Sequence, residues 1–136
     1  MNLVEHPPTV GLVVVDGGEL VAVRQTRPGS ESRTLELPSG KLEDGETPAE
    51  AAARELAEEC GLAAEELSEI GTFWAAPAYS TELVHVFVAS GLSPSAATSA
   101  DEDEDIDVER VPITEAFARL DDACSIAALA LWLERR

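Results

Sequence analysis

Three glutamates, Glu55, Glu58 and Glu59, stand three and four residues apart in a stretch, Pro48 to Cys60, that reads as a helix. On a helix this spacing crowds the carboxylates onto one patch, where each like-charge pair costs about 0.2–0.5 kcal/mol. They also fall in the last two turns, where the helix dipole disfavours acids. Arg54, four residues before Glu58, neutralises only part of the cluster. A solvated acidic face is the bland reading of such a helix. The chemistry that fits it better is a hard divalent cation. Mg²⁺ takes several carboxylate oxygens and fills its octahedron with water and substrate phosphate. A turn-rich stretch, Pro38 to Glu46, offers backbone carbonyls opposite the patch.

The charge of the whole chain agrees. Nine Lys+Arg against 27 Asp+Glu give a net charge of −18 over 136 residues, which repels phosphate backbones and anionic lipid alike. Nucleic-acid and membrane-surface partners are therefore excluded, and a phosphate-bearing ligand has to be met through a cation the chain does not contain. The length suits a single domain. With 45% apolar residues and only 4% aromatics, its core has to be aliphatic. Met1 to Pro8 lacks the basic and apolar regions of a signal peptide. The longest uncharged apolar run, Ala123 to Leu133, is too short to cross a bilayer. A soluble, cytoplasmic protein is expected. Cys60 and Cys124 have no zinc-type spacing and read as small core residues.

The elements that must position the glutamates follow from local signals. Thr9 to Val15, Asp16-Gly17-Gly18 and Leu20 to Gln25 form a β-hairpin pattern, and Thr34 to Leu37 a short strand stopped by Pro38 and Gly40. The helix has Thr47 as N-cap, Pro48 at its first position, Glu50 completing a capping box and Gly61 as its stop. Its apolar arc is expected at Ala49, Ala53, Leu56, Ala57 and Cys60, with the glutamates opposite. Further strands are expected at Ile70 to Trp74, Leu83 to Ala89 and Ile106 to Val111. Further helices are expected at Thr114 to Leu120 and Asp122 to Glu134, the last with a core stripe of Ile126, Leu129, Ala130 and Leu133. Gly91 to Asp105 reads as a long mobile loop. Strands interleaved with helices but without strict βαβ alternation predict an α/β fold with a mixed sheet between helices.

Gly40, Glu46, Arg54-Glu55-Leu56, Glu58-Glu59 and Gly61-Leu62 match every fixed position of G-x5-E-x7-R-E-U-x-E-E-x-G-U, with U aliphatic. The stretch 40–62 thus resembles the Nudix box, and residues 1–136 fit a single domain of that family, an α/β/α sandwich. The resemblance implies a hydrolase of nucleoside diphosphates linked to another group, using Mg²⁺ or Mn²⁺. It makes Glu55, Glu58 and Glu59 metal ligands, helped by a backbone carbonyl near Ser39 and Gly40. It also makes Arg54 the residue that orients a glutamate, and Glu46 a support behind the ligands. Arg24-Gln25-Thr26-Arg27, Leu35 to Lys41 and Pro77 are similar to patterns of the ADP-ribose pyrophosphatase subfamily, which implies cleavage of ADP-ribose to AMP and ribose 5-phosphate. In that subfamily a further N-terminal subdomain of some forty residues often helps form a dimer. Here the hairpin begins near residue 9, so a homodimer stays an open alternative.

The same resemblance raises the acidic run Asp101 to Asp105 above a solvated loop, with Glu102 or Glu104 as the catalytic base. Arg24, Arg27 and Glu36 are candidates for holding ribose or phosphate. His85 reads as packed or hydrogen-bonded, Trp74 and Tyr79 as surfaces for a base, and Trp132 as core. Two alternatives remain open: a hydrolase of noncanonical nucleoside triphosphates, and a Nudix-like domain that senses a nucleotide without turning it over.

Overall fold

The computed structural model describes residues 2–96 and 105–135. Its strands are β1 (Thr9–Asp16), β2 (Glu19–Thr26), β3 (Arg33–Glu36), β4 (Ser39–Lys41), β5 (Leu62–Trp74), β6 (Leu83–Pro94) and β7 (Ile106–Pro112). Its helices are α1 (Pro48–Cys60), α2 (Ala116–Arg119) and α3 (Ala123–Glu134), with a 3-10 turn at Ile113–Glu115 before α2. The sheet runs β3-β2-β1-β6-β5, with β4 also on β1 and β7 also on β2. Among the pairings of these seven strands β1–β6 is parallel and the others are antiparallel, so the sheet is mixed.

Strand β1 explains the layering. Its side chains alternate between faces. Val10, Leu12 and Val14 pack with Ala51, Ala52 and Leu56 of α1, and Val13 and Val15 pack on the other side with Ala128 and Leu129 of α3. An α/β/α sandwich results, as the pattern predicts. Cys60 and Cys124 are half-buried free thiols at the edges of these two clusters. Burial pushes their pKa values up to about 12 and about 11 respectively, which leaves both thiols protonated at neutral pH.

Helix α1 starts and stops where the sequence places it. The Thr47 hydroxyl accepts from the Glu50 N–H, the Glu50 carboxylate accepts from the Thr47 N–H, and Gly61 closes the helix at φ 68°. Its buried arc is different from the expected one. Ala51, Ala52, Glu55 and Leu56 are buried, whereas Ala49 and Ala53 are exposed. Alanines at five of the helix's thirteen positions leave the apolar direction ill defined, and packing on β1 turns Glu55 inward. In α3, likewise, Ser125, Ala128 and Leu129 are buried while Ile126 and Ala130 are exposed. That helix is apolar all round, so periodicity does not choose a face.

Strand β5 is longer than its Ile70–Trp74 core. It pairs with β6 from Leu62 to Trp74 with one register shift between Glu69 and Gly71. Strand β6 continues to Pro94 and absorbs the start of the expected loop; residues 97–104 lie outside the described ones. No helix among the described residues is long and apolar enough to cross a membrane.

Candidate active site

Arg54 organises the glutamates. Its Nε and Nη2 donate to Glu46 Oε2 and Oε1 at 2.8 and 3.0 Å. Its Nη1 donates to Glu55 Oε1 at 2.8 Å and to Glu58 Oε2 at 3.2 Å. Nη2 also donates to the Lys41 carbonyl on β4 at 2.9 Å. A planar guanidinium suits this task because its donors are fixed as a fork. The Glu46 hydrogen bonds are the main reason its already high pKa is pushed up further, and Arg54 in turn holds the Glu46 carboxyl below its ordinary pKa.

The third glutamate is fixed by the short strand β4, where the Ser39 N–H donates to Glu59 Oε1 at 3.1 Å. Gly40, next along, leaves room for Glu55. A Cβ at position 40 would lie 2.0 Å from Glu55 Oε1 and 2.1 Å from its carboxyl carbon. Position 40 is therefore glycine for close approach: a side chain there would fill the space that the carboxylate occupies.

Glu55, Glu58, Glu59, Ser39 and Gly40 all line one cleft of about 840 Å³. Hard oxygen donors cradled over a glycine fit a divalent cation of the Mg²⁺ type. Among the described residues no three acidic, histidine or cysteine side chains form a ready-made metal cage.

Strands β2 and β3 and the turn after β2 also contribute to the cleft lining. Arg27 makes a bidentate pair with the buried Glu36, Nε to Oε2 at 2.8 Å and Nη2 to Oε1 at 2.9 Å. Thr34 Oγ1 donates to the same Glu36 Oε2 at 2.6 Å. Burial pushes the Glu36 carboxyl up, but the Arg27 and Thr34 hydrogen bonds outweigh it and hold it below the usual range. Arg27 and Glu36 both line the cleft.

Arg24 does not join them. It is absent from the cleft lining, and its Nε donates to Glu109 Oε1 on β7 at 3.0 Å. Strand alternation is the reason. Val21, Val23 and Gln25 share one face of β2, Arg24 takes the other, and Arg27 escapes the alternation because β2 ends at Thr26. Gln25, unassigned in the sequence reading, lines the cleft instead, as do Asp122 and Glu82. The alternation of Val21 and Val23 was the available signal for Gln25. Trp74 and Tyr79 are more than half exposed and outside the cleft lining. Trp132 packs on the α3-side core, and His85 Nδ1 lies 3.3 Å from Glu69 Oε2. Glu102 and Glu104 lie outside the described residues.

Residues 5–132 match the model of the NUDIX domain, and the chain belongs to that family. It is 41% identical over 118 residues to an ADP-ribose pyrophosphatase of Bacillus subtilis, covering 85% of this chain and 64% of that protein. It is 32% identical over 133 residues to the ADP compounds hydrolase NudE of Escherichia coli, covering 92% of this chain and 71% of that protein. A crystal structure of an ADP compounds hydrolase superposes with a TM-score of 0.85 at 29% identity, over 94% of this chain and 71% of that one. The chain thus spans less than two thirds of the Bacillus protein's length.

Proposed function

We propose that this chain is a divalent-metal-dependent pyrophosphohydrolase of nucleoside diphosphate compounds, with ADP-ribose as substrate and AMP and ribose 5-phosphate as products. The observation that carries this reading is the Arg54 hub, which aims Glu55 and Glu58 at a cleft floored by Gly40. The names of the relatives support the substrate class.

Glu55, Glu58 and Glu59 would hold Mg²⁺, or Mn²⁺ in its place, with a carbonyl near Ser39 and Gly40 completing the protein's share. Once bound, the cation supplies charge neutralisation at the pyrophosphate and acidifies water for attack on phosphorus. The chain's own residues do the positioning. Arg54 fixes the rotamers of two glutamates and is braced by Glu46. Arg27, held by Glu36, presents a cation in the cleft for the anionic substrate. Glu102 or Glu104 is the candidate base. The net charge of −18 makes the cation necessary for docking as well as for chemistry.

A panel of nucleotides with product identification tests this reading. ADP-ribose is expected to have the highest kcat/KM. A higher value for any nucleoside triphosphate would overturn the substrate assignment.

A further inference from the structure

Two buried polar atoms in the cleft have no hydrogen-bond partner within the fold: Gln25 Nε2 and Asp122 Oδ1. Gln25 is only 9% exposed. A buried amide left without a partner forfeits its bonds to water, a penalty that makes sense when a ligand repays it. The neighbours are already committed. Gln25 stands opposite Thr34 in the β2–β3 ladder, and the Thr34 hydroxyl is given to Glu36, whose carboxylate is closed by the Arg27 fork. At the start of α3, Asp122 caps the helix by accepting from the Ser125 N–H through Oδ2 at 3.2 Å, which leaves Oδ1 over. Asp122, Arg27, Glu36 and Gln25 line the same cleft.

What remains is one donor and one acceptor, both without a partner, on two residues that line the same cleft. A nucleobase could satisfy both, but a base bound in a cleft wants an aromatic face to stack on. Among the described residues lining this cleft the one aromatic ring is that of His6, whose Nδ1 lies 2.7 Å from the Pro7 carbonyl oxygen, and there is no Phe, Tyr or Trp. A sugar diol needs no such surface, and each hydroxyl both donates and accepts. A hydroxyl also answers the Gln25 carboxamide in either orientation of its O and N.

We propose that Gln25 and Asp122 form a subsite for the hydroxyl groups of a ribose, and that this subsite makes the enzyme select ribosyl over deoxyribosyl substrates. The proposal rests on the hydrolase reading above and names two residues that the reading does not need. The ribose is either that of the adenosine or the terminal sugar.

The test is kcat/KM for ADP-ribose and two analogues, one lacking the adenosine 2′-hydroxyl and one lacking a hydroxyl on the terminal sugar. Each is measured with the wild type, Gln25→Leu and Asp122→Ser. Serine keeps an oxygen to cap α3 but withdraws the second one. The wild type should prefer ADP-ribose to one analogue by about tenfold, the loss expected from one buried hydrogen bond left unmade. In both variants that preference should fall to within about twofold of unity, mainly through KM, with the Tm of Gln25→Leu at or above that of the wild type. The analogue that shows the collapse identifies which ribose is held. Equal treatment of all three substrates by the wild type, or an undiminished preference in both variants, overturns the subsite alone. A wild type that does not cleave ADP-ribose overturns the hydrolase reading and the subsite with it.

Discussion

Gly40→Ala is the smallest change that reaches the metal-ligand geometry without removing a ligand atom. The added Cβ would fall 2.0 Å from Glu55 Oε1, so the carboxylate must withdraw by about 1 Å merely to reach the 3.0 Å below which such contacts essentially do not occur. That oxygen is the one held by Arg54 Nη1 at 2.8 Å, and a retreat of this size breaks the hydrogen bond or drags the guanidinium with it. The clash is with the end of a flexible side chain, so the backbone of β4 keeps its pairing with β1. Overpacking of this kind typically costs about 1–3 kcal/mol, and the low end applies here, a fall in Tm of roughly 2–8 °C. Function should suffer more. Disturbing the group that orients a metal ligand usually lowers affinity or activity by about 10–100-fold. Thermal unfolding, together with kcat titrated against Mg²⁺, separates the two effects: a folded variant with a raised metal requirement and a lowered kcat is expected. A folded Gly40→Ala protein with wild-type kcat and metal requirement would refute the claim that the close approach of Gly40 and Glu55 shapes the site.

Two further outcomes follow from the same residues. Replacing Glu102 or Glu104 singly by Gln should lower kcat by roughly 10²–10⁴-fold at whichever position supplies the base, whereas exposed charges would change it by about twofold at most; two near-normal values would exclude both. The Glu36 carboxyl is held below the usual range by Arg27 and Thr34, so its contribution to stability is complete above the ordinary carboxylate pKa near 4.3 and is lost as pH falls through the lowered folded value. Glu36→Gln should therefore lower Tm at pH 7 and flatten its decline below pH 4, and an unchanged acid limb would contradict the assignment.

Much of the site was legible because its residues obey local rules with strong signals. Thr47, Pro48, Glu50 and Gly61 mark both ends of α1 by capping chemistry alone. The spacing of Arg54, Glu55, Glu58 and Glu59 then fixes which carboxylates share a surface. The face that α1 buries was not legible, since its apolar positions are mostly alanine and packing against β1 decides the rotation. Strand β4 has no pattern of its own, because three residues paired through their backbone to Thr9, Val10 and Gly11 need none. The extent of β5 was hidden by its solvent-facing glutamates, which suit an edge strand and carry little strand propensity. Arg24 was misplaced through neglect of strand alternation, and the same rule brings Gln25 into the cleft.

The central claim is that the glutamates on α1 hold a divalent cation for pyrophosphate hydrolysis. Its most direct measurement is metal-dependent cleavage of ADP-ribose, with AMP and ribose 5-phosphate identified, by the wild type and by folded Glu58→Gln and Glu59→Gln. The account predicts turnover that requires Mg²⁺ or Mn²⁺ in the wild type and its abolition in both variants, with Tm unchanged or slightly raised by relief of the like-charge patch. Near wild-type kcat at saturating Mg²⁺ in either variant would contradict it.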